Sequence, residues 1–110
     1  MAVSLGAIVL NVKDVGPAAA FWSQVLGYDA SPDNPDFLVP KGGPATRLHL
    51  DETDRTHLDL WVDRSTSTLD GEVDRLIALG ARRVEDWTYP PTADFVVLAA
   101  PDGTIFCVIE

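Results

Sequence analysis

The stretch SLGAIVLNVKDVGPAAAFWSQVLGY, residues 4–28, decides the fold because it joins a predicted strand to a predicted helix. Its first part, residues 4–12, is short, apolar and rich in β-branched side chains, which is typical of a strand. Residues 13–17 turn the chain, and residues 18–26 then form the helix, which Gly27 is placed to end in the left-handed conformation. The helix is predicted to bury one apolar stripe, made of Phe21, Trp22, Val25 and Leu26.

The second half of the chain repeats this order of elements. His57–Val62 is predicted as a strand, and residues 68–79 as a helix that Gly80 closes. The opening strands of the two halves match at an offset of 50 residues, and the Leu-Gly pairs that end the two helices match at an offset of 53. Further short strands are predicted at residues 37–39 and 46–50 in the first half, and at 82–85, Phe95–Ala99 and 104–109 in the second.

This repetition predicts an α+β protein built from two βαβββ modules. Module one covers about residues 1–52 and module two about residues 56–110. Neither module is large enough to bury its own sheet face, so we expect both to share one core in a single domain of residues 1–110. The polar link DETDRT, residues 51–56, is either a hairpin or the boundary between the modules.

The composition predicts a globular protein that does not bind nucleic acid. Hydrophobic residues make up 46% of the chain, which is enough for a packed core. Seventeen acidic against eight basic residues give a net charge of −9, which repels phosphate backbones and anionic lipids. The single cysteine, Cys107, has no partner for an internal disulfide, which fits a cytoplasmic protein. The apolar run near the start is far shorter than the ~20 residues of a membrane helix and lacks a basic flank, so neither a membrane span nor a signal peptide is predicted.

Alternation along the predicted strands separates an aliphatic face from a mixed face. The aliphatic face is expected to pack on the helices. The mixed face carries both histidines of the chain, and histidine serves near neutral pH as a ligand, a general base or a hydrogen-bond donor. Its members are Ala7, Val9, Asn11, Arg47, His49, Asp51, His57, Asp59, Trp61, Ile105, Cys107 and Ile109.

Two interpretations of the mixed face stay open. Large apolar side chains such as Trp61 are unusual on a face that meets water, but they suit a face that lines a small-molecule pocket with a few convergent polar groups. Alternatively, a dimer partner covers part of a solvent face. His57 and Asp59 are expected to lie ~6.6 to 7 Å apart along their strand, which is too far for a direct hydrogen bond without a water or a bend.

Four segments together resemble the vicinal oxygen chelate superfamily, which includes glyoxalase I, extradiol dioxygenases and bleomycin-resistance proteins. They are VLNVKDVGPAAAFWSQVLGY, HLDLWVDR, EVDRLIALGA and PDGTIFCVIE, and the resemblance covers essentially the whole chain. The nearest likeness is to small actinobacterial glyoxalase-like domains. The resemblance implies that the two modules form a U-shaped, mostly antiparallel sheet around a cavity, the glyoxalase/bleomycin-resistance/dihydroxybiphenyl-dioxygenase fold.

The resemblance also bears on metal binding. Superfamily metals are typically held by histidines that open the two modules and by carboxylates or Gln on their last strands. The matching positions here are Ala7 and His57 at the openings, and His49 and Cys107 on the last strands. With Ala7 in place of a ligand, the resemblance implies a metal-free pocket without a cofactor, and His49, His57 and Cys107 remain the candidate ligands for a divalent metal. A metal-dependent glyoxalase I or dioxygenase is correspondingly disfavoured.

The resemblance favours a protein that binds or sequesters a small organic molecule, as bleomycin-resistance proteins do. The alternative is a lyase or isomerase that uses His49 or His57 as general base with Asp59 as its orienting partner, so whether the chain is an enzyme is left open. The predicted ligand-binding residues are Val9, Asn11, Arg47, His49, His57, Asp59, Trp61, Trp87 and Cys107, with Phe37 as a further apolar wall.

The remaining predictions concern partners and surface. Superfamily members commonly dimerise, so the resemblance implies a homodimer. Residues 87–91, WTYPP, either roof the pocket or form a dimer contact. The charged residues of the second helix, among them Glu72, Asp74 and Arg75, are expected on a solvated face.

Overall fold

The structure is a computed structural model that describes residues 3–41 and 46–110. Within those residues the order strand, helix, three strands occurs twice, which confirms the predicted α+β class with two βαβββ repeats. The elements are β1 Val3–Asn11, α1 Val15–Leu26, β2 Tyr28–Ala30, β3 Phe37–Pro40, β4 Arg47–Asp51, β5 His57–Val62, α2 Leu69–Ala78, β6 Arg82–Arg83, β7 Phe95–Ala99 and β8 Ile105–Ile109.

The chain divides into two compact units with the same topology. The first unit is Gly6–Thr56, and the second consists of residues 3–5 with His57–Glu110. The strand order is β2-β3-β4-β1 in the first unit and β6-β7-β8-β5 in the second. In each unit the long opening strand runs parallel to the last strand, and the other neighbours are antiparallel. Because β4 has β3 and β1 on its two edges, residues 51–56 form the boundary between the units and not a hairpin.

In the first unit, α1 packs on the aliphatic face of the strands. The centre of this core is formed by Leu38, Leu48 and Leu50, and Leu50 is fully buried. Burying a leucine side chain contributes about 1.5–3 kcal/mol, so these three residues hold the helix on the strands. The helix residues that face them share one side at i, i+3, i+4 and i+7 spacing. They are Val15, Ala18, Ala19 and Trp22.

The apolar stripe predicted for α1 is wrong at three of its four positions. Phe21 is 59% exposed, Val25 55% and Leu26 45%. The helix begins at Val15, three residues earlier than predicted, and its inward side is set from that first turn. Of the predicted stripe, only Trp22 packs against the core. The end of the helix is as predicted, since Gly27 adopts a φ of 69°.

In the second unit, α2 packs on the matching aliphatic face. Its core is formed by Val62, Val73, Leu98 and Val108. The helix begins after Thr68, whose hydroxyl oxygen accepts a hydrogen bond from the Gly71 N–H at 3.0 Å and so caps the first turn.

Glu72 is buried, so the prediction that it lies on a solvated helix face is wrong. Its side chain lies in the first turn of α2 and is only 5% exposed. The carboxylate accepts the Ser67 hydroxyl at 2.7 Å and the Arg75 Nε and Nη2 groups at 3.0 and 2.9 Å. Ser67 before the cap and Arg75 one turn later therefore enclose the charge that the sequence pattern assigned to solvent.

The predicted bounds agree with the observed ones for β5 and β7 and fail for the two shortest strands. β5 and β7 have the predicted bounds, whereas β6 is confined to Arg82–Arg83. β2, Tyr28–Ala30, was not predicted, because three residues are too few to show an alternating pattern. Among the described residues, neither helix has the length and apolar character needed to cross a membrane.

Candidate functional site

The strand register of the first unit brings its predicted site residues onto one face. Val9 is paired with His49 across the parallel β1 and β4 strands, and Asn11 with Asp51. Phe37 on β3 is the other neighbour of His49. Because paired residues point to the same side of a sheet, these side chains form one surface, which we call the first mixed face. Its members are Ala7, Val9, Asn11, Phe37, Arg47, His49 and Asp51.

An aromatic and cationic stack dominates the first mixed face. The Phe37 ring lies parallel to the His49 imidazole, with centroids 4.1 Å apart and an interplanar angle of 11°. The Arg47 guanidinium carbon lies 4.6 Å from the centre of the same Phe37 ring. A cation over an aromatic face is attracted by the ring quadrupole. The planar groups of Arg47, Phe37 and His49 therefore form one continuous stack.

His49 is the partly accessible end of this stack. Its side chain is 22% exposed, and its Nε2 lies 4.0 Å from Asp51 Oδ2, which is beyond hydrogen-bond distance. Stacking on Phe37 and the nearby carboxylate thus orient the imidazole while its ring edge stays partly open to solvent.

Asp51 itself is held in a tight turn. Its Oδ1 accepts the N–H groups of Asp54 and Thr53, both at 2.8 Å, and the Thr53 hydroxyl at 3.0 Å. These donors, first the Asp54 N–H and then the Thr53 N–H, hold the pKa of the Asp51 carboxyl below its ordinary value of 3.8. The carboxylate is therefore the favoured form next to His49.

Two predicted ligand-binding residues of the first unit, Asn11 and Val9, have structural roles in it. The Asn11 amide donates to the Asp54 carbonyl oxygen at 2.7 Å and to the Asp51 carbonyl oxygen at 3.4 Å, so it ties β1 to the turn after β4. Val9 is 2% exposed and lies within the packed part of the face. The accessible chemistry of the first mixed face therefore rests with the stack.

In the second unit, His57 and Asp59 are in direct contact. His57 Nε2 lies 3.2 Å from Asp59 Oδ1, so the expectation that the two residues are too far apart for a direct contact is wrong. The separation of ~6.6 to 7 Å describes the strand backbone between residues i and i+2, whereas the imidazole is long enough to reach along the face toward its neighbour. The pair is secluded, with side-chain exposures of 6% and 14%.

Cys107 completes a cluster with this pair. Asp59 is paired with Cys107 across the parallel β5 and β8 strands, so the two side chains share a face. One donor atom each from His57, Asp59 and Cys107 all lie within 4.8 Å of one another. Cys107 is 7% exposed, and the three residues form the only such group of metal-ligating types found in residues 3–41 and 46–110.

The other predicted residues of the second unit lie at its margins. Trp61, paired with Ile109, is 39% exposed. Trp87 is half-buried in the segment before β7. This segment is anchored by Tyr89, whose hydroxyl oxygen accepts the Val97 N–H at 2.7 Å and whose ring lies 5.5 Å from that of Phe95. Residues 87–91 thus attach to the edge of β7 within the second unit.

Two open hollows lie beside the starts of the helices, and they meet the first mixed face only at Asp51. One, of about 380 Å³, is located at the start of α2, and the other, of about 300 Å³, at the start of α1. Neither is lined by a histidine, so neither coincides with the predicted site. The first is lined by Arg64, Ser67, Thr68, Leu69, Asp70 and Glu110, and the second by Val15, Asp36, Asp51, Glu52 and Thr53.

The residues do not fit the two-module ligand set that the superfamily resemblance implies. Ala7 has no donor atom and is fully buried, so one of the four matching positions is lost. The contact that sequence reasoning missed is Asp59 beside His57, although the i, i+2 spacing on one strand was visible. An estimate of side-chain reach, in place of backbone spacing, would have found it.

Comparison with known proteins shows which family and which solved structures the chain is similar to. The sequence pattern of a glyoxalase-like domain matches residues 7–109. The structure is similar to methylmalonyl-CoA epimerase from Mycobacterium tuberculosis, with a TM-score of 0.62, 22% identity, and coverage of 96% of this chain and 86% of that one. It is also similar to a hypothetical protein from Bacillus halodurans C-125, with a TM-score of 0.62, 13% identity, and coverage of 100% and 95%. At these identities the likeness shows the fold alone. No curated protein sequence matches the chain.

Proposed function

Because the chain belongs to the glyoxalase-like domain family, and so to the vicinal oxygen chelate superfamily, we propose that it binds a small organic molecule at the first mixed face. The observation that carries this proposal is the stack of Arg47, Phe37 and His49. Small-molecule sites combine apolar and aromatic surface with a few placed polar groups, and this stack supplies both on one surface.

The chemistry of the stack favours a planar ligand with a hydrogen-bond acceptor. The exposed part of the His49 ring, at the end of the stack on Phe37, suits an aromatic ring, and the Arg47 guanidinium suits a carboxylate. The net charge of −9 describes the whole surface and on its own would attract cations, whereas the stack presents a local cation. We therefore propose an aromatic carboxylate in preference to a cationic antibiotic such as bleomycin.

Titration calorimetry tests the binding proposal. Salicylate, indole-3-acetate and bleomycin are titrated into wild type, Phe37→Leu and Arg47→Ala. We expect an aromatic carboxylate to bind, and both variants to weaken that binding by about tenfold or more, which corresponds to ~1.4 kcal/mol. Phe21→Leu and Arg83→Ala are matched controls, since both residues are exposed on other surfaces. Failure of all three probes to bind, or equal losses in the controls, would contradict the proposal.

A second candidate function is a lyase or isomerase with His49 as general base. The two histidines of the chain are the candidate bases, and exposure separates them: the His49 side chain is 22% exposed and that of His57 only 6%. A base must reach the substrate proton, so His49 is the better placed. Its ring is held by Phe37 and lies beside the Asp51 carboxylate.

Proton abstraction from carbon tests this second candidate. Since one structural neighbour is named as methylmalonyl-CoA epimerase, methylmalonyl-CoA is a reasonable first probe. Incubation in D₂O followed by NMR should show deuterium entering next to the carbonyl group, and His49→Gln should abolish it. Exchange that persists in His49→Gln, or is absent from wild type across a panel of thioesters and ketones, excludes this base.

Two further proposals concern assembly and location. We propose a homodimer, supported by the common dimerisation of the superfamily, and light scattering of the purified chain tests it. We also propose a cytoplasmic location, supported by the lone cysteine, and fractionation of the source cells tests it.

A further inference from the structure

We propose that His57, Asp59 and Cys107 form a zinc-type metal site contained within the second unit. This inference goes beyond the proposed function, which depends on the first mixed face. It also differs from the superfamily arrangement, in which both modules contribute ligands, because Asp59 takes part and Ala7 cannot.

Strand geometry brings the three donors together. Asp59 and Cys107 are direct neighbours on the parallel strands β5 and β8, where adjacent backbones lie ~4.8 Å apart. His57 lies two residues before Asp59 on the same strand, so its side chain is on the same face. The site thus rests on two paired strands and requires no loop to fold around the ion.

The distances match what a tetrahedral ion needs. Ligand bonds of about 2.0–2.1 Å at tetrahedral angles place a nitrogen and an oxygen donor about 3.4 Å apart. His57 Nε2 and Asp59 Oδ1 are already 3.2 Å apart. A Zn–S bond of about 2.3 Å requires the thiolate about 3.6 Å from its neighbours. All three donors lie within 4.8 Å of one another, so closing the site requires no donor-to-donor distance to shorten by more than about 1.2 Å.

The donor types select the metal. An imidazole nitrogen, a carboxylate oxygen and a thiolate sulfur suit Zn²⁺, whereas Mg²⁺ and Ca²⁺ prefer oxygen ligands alone. All three residues are largely buried: the side chains of His57 and Asp59 are 6% and 14% exposed, and Cys107 is 7% exposed as a whole residue, so competing water is limited. Three protein ligands leave a fourth position for a water or a small ligand.

The internal repeat supplies a comparison inside the same chain. At the offset of 50 residues, His57 and Asp59 correspond to Ala7 and Val9. Cys107, the cross-strand neighbour of Asp59, corresponds to His49, the cross-strand neighbour of Val9. The first unit thus keeps one donor of the three, so the same topology forms a donor cluster in one unit only.

The test uses the full-length chain without an affinity tag. Zinc is measured by elemental analysis after loading and dialysis, and Co²⁺ replaces zinc as a spectroscopic probe, since a thiolate ligand gives a charge-transfer band. The variants are Cys107→Ser and Asp59→Asn, both nearly isosteric, with circular dichroism to confirm folding. Asp86→Asn is the matched control because its carboxylate is exposed in the same unit.

We expect about one equivalent of zinc in wild type and in Asp86→Asn, and a Co²⁺ charge-transfer band that Cys107→Ser abolishes. Asp59→Asn should weaken zinc binding about tenfold or more, since even outer-shell partners of a metal matter by that factor. Wild type that holds less than about a tenth of an equivalent after loading overturns the proposal. A Co²⁺ spectrum unchanged by Cys107→Ser, or an equal loss in Asp86→Asn, also overturns it.

Discussion

His57 Nε2 lies 3.2 Å from Asp59 Oδ1 although the two residues are separated along β5 by a full strand repeat. The contact lies on a face whose neighbours Val97 and Cys107 are buried, so it is shielded from water on that side. A buried polar group that loses its partner costs more free energy than the hydrogen bond itself contributed. The pair is therefore a point where stability and site chemistry depend on the same two side chains.

Asp59→Ala should lower the free energy of unfolding by about 1–3 kcal/mol, because it leaves the buried imidazole without this carboxylate. Urea denaturation with a metal chelator present measures the effect on the metal-free protein. Asp86→Ala removes an exposed carboxylate from the same unit and is expected to change stability by no more than about 0.5 kcal/mol. A loss in Asp59→Ala no larger than in this control would show that the contact contributes nothing.

Glu72→Gln should also destabilise the chain, since the Arg75 guanidinium would lose its charged partner at the start of α2. We expect a loss of about 1–3 kcal/mol in urea denaturation, the range for hydrogen bonds to charged groups. Asp74→Asn, on the exposed side of the same helix, serves as the control. If both variants unfold at the same urea concentration, the buried position of Glu72 has no energetic consequence.

Gly27→Ala should destabilise the chain. Gly27 ends α1 with a φ of 69°, where an L-residue costs about 1–2 kcal/mol. Gly27→Asn should lose less, because asparagine tolerates this left-handed conformation better than alanine does. Thermal melts of both variants measure the two losses, and an equal loss in both would contradict the conformational argument.

Stability should fall in acid partly through Asp51. The Asp54 and Thr53 N–H groups lower the pKa of this carboxyl below 3.8 in the folded protein, while the unfolded chain keeps the ordinary value. Its contribution is therefore present above pH 3.8 and is lost as the pH falls through the lower folded pKa. Urea melts between pH 7 and pH 3 should show a smaller acid loss in Asp51→Asn than in wild type. Equal slopes for the two proteins would contradict this assignment.

Short-range patterns were sufficient for most of the elements. The alternation in β5 and the short, wholly apolar run of β7 predicted both strands to the residue, and Gly27 marked the end of α1. The inward side of α1 was not predictable in the same way, because Phe21 and Trp22 are equally apolar and only packing on Leu38, Leu48 and Leu50 distinguishes them. Glu72 is the opposite case, a charged residue that is buried. A carboxylate in a helix is expected in solvent, and only the tertiary structure shows that Ser67 and Arg75 enclose this one.

The sequence by itself determined the repeated βαβββ order, the family and the face on which the polar residues lie, because each depends on periodicity or on residues close in the chain. Only the tertiary structure decided which of those residues meet. The pairing of Asp59 with Cys107 joins positions 48 residues apart, and the stack of Phe37 on His49 depends on the register of β3 against β4. Register and side-chain reach are set by the packing of whole strands, so no local pattern specifies them.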